Sequence, residues 1–149
     1  MAKATVTGCD FENIISIDDE LPLWSAPFGL KLLEHVIYKP DLTALDIGFG
    51  SGFPLIELAM RLGENARVYG IDPWKTAVDR THEKIRRLGI ANITVIEGPA
   101  ESMPLENHSI DLITSNNGIN NVRQPLNPDA LHRNGTYPPV IPPLNSAFG

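Results

Sequence analysis

Thr43-Ala44-Leu45-Asp46-Ile47-Gly48-Phe49-Gly50-Ser51-Gly52 is the stretch whose reading decides the fold. Thr43 to Ile47 is an apolar run that carries one acid, and it reads as a buried strand. Three glycines then alternate with other residues, and an apolar helical pattern follows from Phe53 to Leu62. A strand feeding a glycine-rich turn and then a helix suits a small charged ligand. Glycine permits positive φ and close approach to the backbone, and the helix N-terminus offers free N–H groups and a positive dipole end.

The glycine spacing narrows the reading. A dinucleotide fingerprint, G-x-G-x-x-G, needs glycine at position 53, which is Phe53; the third glycine comes one residue early, at Gly52. Upstream, Ser25 is a candidate N-cap and Pro27 fits a first helical turn. Leu32, Leu33, Val36 and Ile37 then recur at helical spacing until Lys39-Pro40. Downstream, a helix from about Pro54 to Leu62 places Leu55, Leu58, Ala59 and Leu62 on one face and stops at Gly63. Strand two is Arg67 to Ile71. A helix from Pro73 to Leu88 carries Trp74, Val78, Ile85 and Leu88 on one face and ends at Gly89. Strands three and four are Ile93 to Glu97 and Ile110 to Thr114. Alternating strands and helices predict right-handed crossovers and a Rossmann-like parallel α/β sheet with helices on both faces. Ligands bind such sheets beyond the C-terminal strand ends, where Asp46, Asp72, Glu97 to Glu101 and Ser115 to Asn117 all fall.

Composition excludes several classes. A chain of 149 residues with 42% hydrophobic and 20% charged residues fits one globular domain. No apolar run approaches the ~20 residues of a membrane span. Met1 to Asp10 lacks a signal-peptide core, so a cytoplasmic location is expected. The single Cys9 reads as an inert thiol. The net charge of −6 disfavours a nucleic-acid partner, and Lys84, Arg86 and Arg87 read as a solvated face near a helix C-terminus. His35, His82, His108 and His132 follow no metal or triad spacing, so no metal site and no catalytic base is assigned. Residues 125 to 149 hold six of the thirteen prolines and no period. We therefore divide the chain into a domain over 1–122 and an irregular proline-rich tail over 123–149.

Asp72 closes strand two twenty residues after Gly52, where an acid can accept from two ribose hydroxyls; Asp72-Pro73 is also a good helix start. From about Pro22 to Val122 the chain resembles the cofactor half of the class I S-adenosylmethionine (SAM) dependent methyltransferases of the small-molecule type. Leu45 to Gly52 is similar to their motif I and Val68-Tyr69-Gly70-Ile71-Asp72 to motif II. Glu97 to Leu105 resembles the adenine-contacting segment, and Ile110 to Asn116 the motif IV strand. The resemblance implies SAM as cofactor. Asp46, Gly48, Phe49, Gly50 and Gly52 would lie around its methionine and ribose parts, and Asp72 would hold the ribose. Pro73 or Trp74 would pack on adenine, with Ala100 and Glu101 flanking it. Ser115 and Asn116 would stand beside the methyl-transfer position. Pro99 stands where the family often has an adenine-binding acid, so the resemblance implies either weaker adenine recognition or compensation by Glu101. Trp24 to Gly29 resembles a segment that folds over the cofactor's methionine end, and reads equally as a helix start.

The recognisable pattern ends after strand four, whereas the family continues with three more strands. A sheet truncated there, of order 3-2-1-4, leaves an apolar strand at an edge. A homo-oligomer covering strand four is therefore expected, the alternative being a tail folded over that edge. The functional expectation is a SAM-dependent methyltransferase acting on a small-molecule acceptor. The rivals are a SAM- or nucleoside-binding module without catalysis and an NAD-type protein.

Overall fold

The strand at the centre of the sheet is covered on both sides: in β1 (Thr43–Ile47), Ala44, Leu45, Asp46 and Ile47 are all buried. This explains its near-continuous apolar sequence. The structure, a computed structural model, describes residues 26–118 together with Leu131 and His132. Before β1 stands α1 (Ala26–Glu34). After it come α2 (Leu55–Leu62), β2 (Arg67–Asp72), α3 (Lys75–Leu88) and β3 (Ile93–Glu97). A 3-10 turn (Ala100–Ser102) and β4 (Leu112–Thr114) follow. The order is β3-β2-β1-β4 and every pairing is parallel, as the sequence predicts.

Register fixes the site. Asp46 stands opposite Gly70 in β2 and Thr114 in β4, and Asp72 opposite Glu97 in β3. The C-terminal ends of all four strands therefore come together on one rim.

The helices α1, α2 and α3 pack on one face, where Leu33, Leu55, Leu58, Ala77 and Val78 meet Ala44 and Val68. On the other face Leu45, Ile47 and Ile71 meet Ala100, Ile110, Met103, Leu105 and Leu131. Helices on both faces were expected; among the described residues α1, α2 and α3 share one face, and the other carries the 3-10 turn at Ala100–Ser102 and the helical Leu131. Topology gives the reason. The chain steps from β1 to β2 to β3 in one direction, and right-handed crossovers in one direction place their helices on the same side. Only the return from β3 to β4 crosses the other face, and there the chain forms the short turn at Ala100–Ser102.

Three boundaries differ from the sequence reading. α1 ends at Glu34, leaving Ile37 74% exposed. The amides of His35 and Val36 bond to the carbonyls of Leu32 and Leu33, and Tyr38 Oη donates to the Leu33 carbonyl, which tightens the last turn and closes it. α3 begins at Lys75 rather than Pro73, because Asp72 Oδ1 takes the Trp74 amide. Its inner face also differs: Thr81 is fully buried while Leu88 is exposed. A helix of 14 residues is about 21 Å long and overruns the five residues of β3, about 17 Å.

β4 begins at Leu112 rather than Ile110. The Ile110 amide donates to the Leu131 carbonyl and Ile110 bridges His132 in parallel, while the Asp111 amide reaches β1 at the Thr43 carbonyl. At these two residues the proline-rich stretch is part of the domain: Leu131 packs on the second core cluster and His132 is buried. The chain itself thus covers the start of the β4 edge. The rest of the tail, Trp24, Ser25 and Cys9 lie outside the described residues. Among the described residues no helix is long and apolar enough to cross a membrane.

Candidate functional site

The turn after β1 is held from behind. Gly48, at φ 72°, donates its amide to the Ile71 carbonyl at 2.8 Å. The Gly50 amide goes to Asp72 Oδ2 at 2.9 Å. The carbonyls are taken by α3: Thr81 Oγ1 donates to Gly50 O and Lys84 Nζ to Ser51 O. Carbonyls drawn toward α3 leave the opposite side of the loop to a ligand, and a Cβ built on Gly50 meets nothing within 4 Å. Phe49 contributes backbone only, since its ring is buried in the core beside Leu55. Lys84 is thus not part of a solvated basic face. Arg86 and Arg87 are: both pair with Glu83 in the open.

Asp46 lies inside this rim, fully buried. Asp46 and Thr114 face each other across β1 and β4, and Thr114 Oγ1 donates to Asp46 Oδ1 at 2.7 Å. Asp46 Oδ2 has no hydrogen-bond partner among the described residues. Burial pushes the carboxyl up to about 7; the Thr114 bond opposes the rise and the Asp72 carboxylate adds to it. An orphaned, buried carboxylate oxygen calls for a cationic or N–H partner.

The sign of the linkage is definite. Below the ordinary aspartate value of 3.8, Asp46 is neutral folded and unfolded. As pH rises toward about 7 the unfolded chain releases its proton and the folded chain does not, so stability falls; above about 7 the full cost is present. Asp46→Asn is therefore expected to raise stability by ~2 kcal/mol at pH 8, the ionisation cost less that of an unpaired amide. Thermal melts from pH 4 to 8 should show the gain shrinking as pH falls and turning into a loss at the acid end, where the cost of the unpaired amide alone remains.

Asp72 is also buried, and each of its oxygens already serves the backbone: Oδ2 accepts from Gly50, Oδ1 from Trp74 at 3.0 Å. Burial raises its pKa, against the pull of those two bonds. Its own carbonyl accepts the Gly98 amide at 3.0 Å and so ties down the start of the 98–102 segment. There Ala100 is buried and Glu101 exposed. Pro73 is exposed beside Asp72, while Trp74 is half-buried and packs on the helix-side core.

Beyond β4, Ser115 Oγ donates to the Ile47 carbonyl at 2.8 Å. Asn117 and Gly118 then bring the backbone across the turn after β1: a Cβ on Gly48 would lie 2.4 Å from Gly118 Cα. A Cβ on Gly29 would strike the Phe53 ring at 2.3 Å and approach Asn116 Nδ2 at 3.1 Å, so α1 closes against both loops. Every site residue named from the sequence thus lies on or beside one rim, except that Phe49 and Trp74 turn their rings into the core.

Thr81, Lys84, Thr114 and Gly118 were missed. Thr114 becomes visible only with the strand register. Asn116-Asn117-Gly118 reads as a turn, which hides that the turn touches another backbone. Three of the four histidines are occupied structurally: His35 Nδ1 and His132 Nε2 meet the carbonyls of Lys31 and Asp111, and His108 Nδ1 that of His132, while His82 is exposed. Among the described residues no group of three or more His, Cys, Asp or Glu is placed to hold a metal.

The rim fits a ligand with a cationic amine and a ribose: an orphaned acid, an open glycine turn and a second acid one strand away. Residues 38–131 match the family described as "Methyltransferase domain". Over 115 residues the chain is 28% identical to the "Probable cobalt-precorrin-6B C(15)-methyltransferase (decarboxylating)" of Saccharolobus solfataricus, across 76% of this chain and 58% of that one. It is 33% identical over 94 residues to the demethylmenaquinone methyltransferase of Bacillus cytotoxicus, across 63% of this chain and 38% of that one. The crystal structure of a SAM dependent methyltransferase from Aquifex aeolicus superposes with a TM-score of 0.60 at 31% identity, covering 72% of this chain and 57% of that one. The chain thus spans less than two thirds of the length of each of these relatives. The family match continues past residue 122 to Leu131, the residue whose carbonyl receives the Ile110 amide. Sheet order, rim and match together make this chain a member of the methyltransferase domain family.

Proposed function

We propose that the chain binds SAM at the ends of β1 and β2 and transfers its methyl group to a small-molecule acceptor. The observation that carries this reading is the buried, unpartnered Asp46 Oδ2 beside an open glycine turn. The cofactor supplies an electrophilic methyl on a cationic sulfur. The chain's part is to bind and align. Asp46 takes the amino group. Asp72 takes the ribose with the lone pairs that its two backbone bonds leave over. Ala100 and Glu101 meet the adenine, and Ser115 and Asn116 face the acceptor. Methyl transfer depends chiefly on in-line proximity, and no side chain is assigned as a base. The acceptor class is supported by the precorrin and demethylmenaquinone named for two relatives and by the net charge of −6, which repels nucleic acid.

Calorimetric titration with SAM, S-adenosylhomocysteine and NAD, followed by transfer assays with labelled SAM and a panel of small acceptors, tests the reading. Selective binding of the two adenosyl ligands together with transfer is the expected outcome. Binding without transfer favours a cofactor-binding module, and a preference for NAD overturns the assignment.

A further inference from the structure

We propose that Thr114 is a positioning residue for the cofactor's amino group: its hydroxyl fixes Asp46 Oδ1, so that Oδ2 is left to pair with an α-ammonium group. The inference rests on the SAM reading above, and deepens it by naming how the chain recognises the amino-acid end of the ligand.

The geometry is specific. Thr114 lies opposite Asp46 in the β4–β1 register, on the same face of the sheet. Both residues are buried, with exposures of 5% and 0%. The hydroxyl donates to Asp46 Oδ1 at 2.7 Å and lies 3.4 Å from the Leu45 carbonyl. Oδ1 is thereby committed and Oδ2 is the orphan.

Among the described residues the surroundings supply no competing charge of positive sign. Asp72, at the end of β2, is the one charged group that acts on Asp46 among the described residues, and it acts against ionisation. Gly70, opposite in β2, and Ser115, next in the chain after Thr114, are neutral. The Thr114 hydrogen bond is the one interaction that favours the charged form. A bond donated to a buried carboxylate favours the ionised form and fixes which oxygen remains free. A structural threonine at this position would matter for packing alone, and valine would replace it with little loss.

The consequences separate cleanly. Below the Asp46 midpoint, ammonium binding must first expel a proton, so affinity for an amine-bearing ligand rises with pH and then levels off near 7. A ligand with the nucleoside but no amino group does not feel Asp46.

The experiment compares wild type, Thr114→Val and Thr114→Ser in two arms. The first follows the Asp46 side-chain carboxyl by 13C NMR across pH 5 to 9 in the ligand-free protein. The second measures calorimetric affinity for S-adenosylhomocysteine and for 5′-methylthioadenosine, which lacks the amino-acid part. Thr114→Val should raise the Asp46 midpoint by about one unit. It should weaken S-adenosylhomocysteine about fivefold at pH 7, the fall in the ionised fraction of Asp46 when its midpoint rises one unit from about 7, and leave 5′-methylthioadenosine unchanged. Thr114→Ser should restore wild-type behaviour in both arms. An unchanged Asp46 midpoint in Thr114→Val overturns the proposal, as does an equal loss for the two ligands. If no variant binds either ligand while the NMR midpoint moves as stated, the SAM reading fails and the Thr114–Asp46 coupling stands.

Discussion

Asp72→Ala is expected to abolish nucleoside binding and to loosen the glycine turn in the same stroke. The carboxylate accepts the Gly50 amide on one oxygen and the Trp74 amide on the other, so alanine strands a loop donor and a helix-start donor together. Each bond to a charged acceptor contributes about 1.5–3 kcal/mol, and relief of carboxylate burial offsets part of that. A net stability loss of about 1–3 kcal/mol follows, with affinity for S-adenosylhomocysteine reduced at least ~100-fold when the ribose acceptor also goes. Denaturant melts give the first quantity and calorimetry the second. Faster amide exchange at Gly50 in the ligand-free variant would separate the clamp from the ribose contact. An affinity equal to wild type would remove the ligand from the end of β2 altogether.

Gly118→Ala is the second large effect. The added Cβ would stand 2.2 Å from the Ile47 carbonyl oxygen and 2.5 Å from Gly48 Cα. Both obstacles are backbone, so no side chain can swing aside. The turns after β1 and β4 would be forced apart, at a cost of about 3–5 kcal/mol, beyond the usual overpacking range because the backbone must move. Gly63→Ala is the control. Its φ of 82° also disfavours alanine, yet a Cβ there meets nothing within 4 Å, so it should cost only the local strain of about 1–2 kcal/mol. Equal losses in the two variants would show that the crossing is looser than described.

What the sequence disclosed, it disclosed through local signals. β1 and its turn are legible because a doubly covered strand must be apolar throughout, and Asp46 stands out against it. Leu55, Leu58, Ala59 and Leu62 follow one helical stripe and all are buried. Asp72 and Ala100 could be placed because both fall at strand ends once the alternation is seen. What stayed hidden depends on partners distant in the chain. Thr114 is one threonine among several until register sets it against Asp46. Lys84 looks like part of a basic surface until the loop carbonyl of Ser51 is brought to it. The pairing of Ile110 with His132 lies in a stretch whose prolines point to irregular chain, and the bridge is set by a partner 22 residues away.

The β1–β4 pairing also bears on the order in which the chain acquires its structure. Asp46 and its hydroxyl donor are separated by 68 residues, whereas Asp46 and its β2 neighbour Gly70 are near in sequence. Long loops close later and at greater entropic cost. The β1–α2–β2 unit can therefore collapse while Asp46 still faces water, and the carboxylate is dehydrated only when β4 docks. The most expensive ionisable group in the site is thus sealed last, and the docking of β4 is both the late step of folding and the moment at which the ligand rim comes into being.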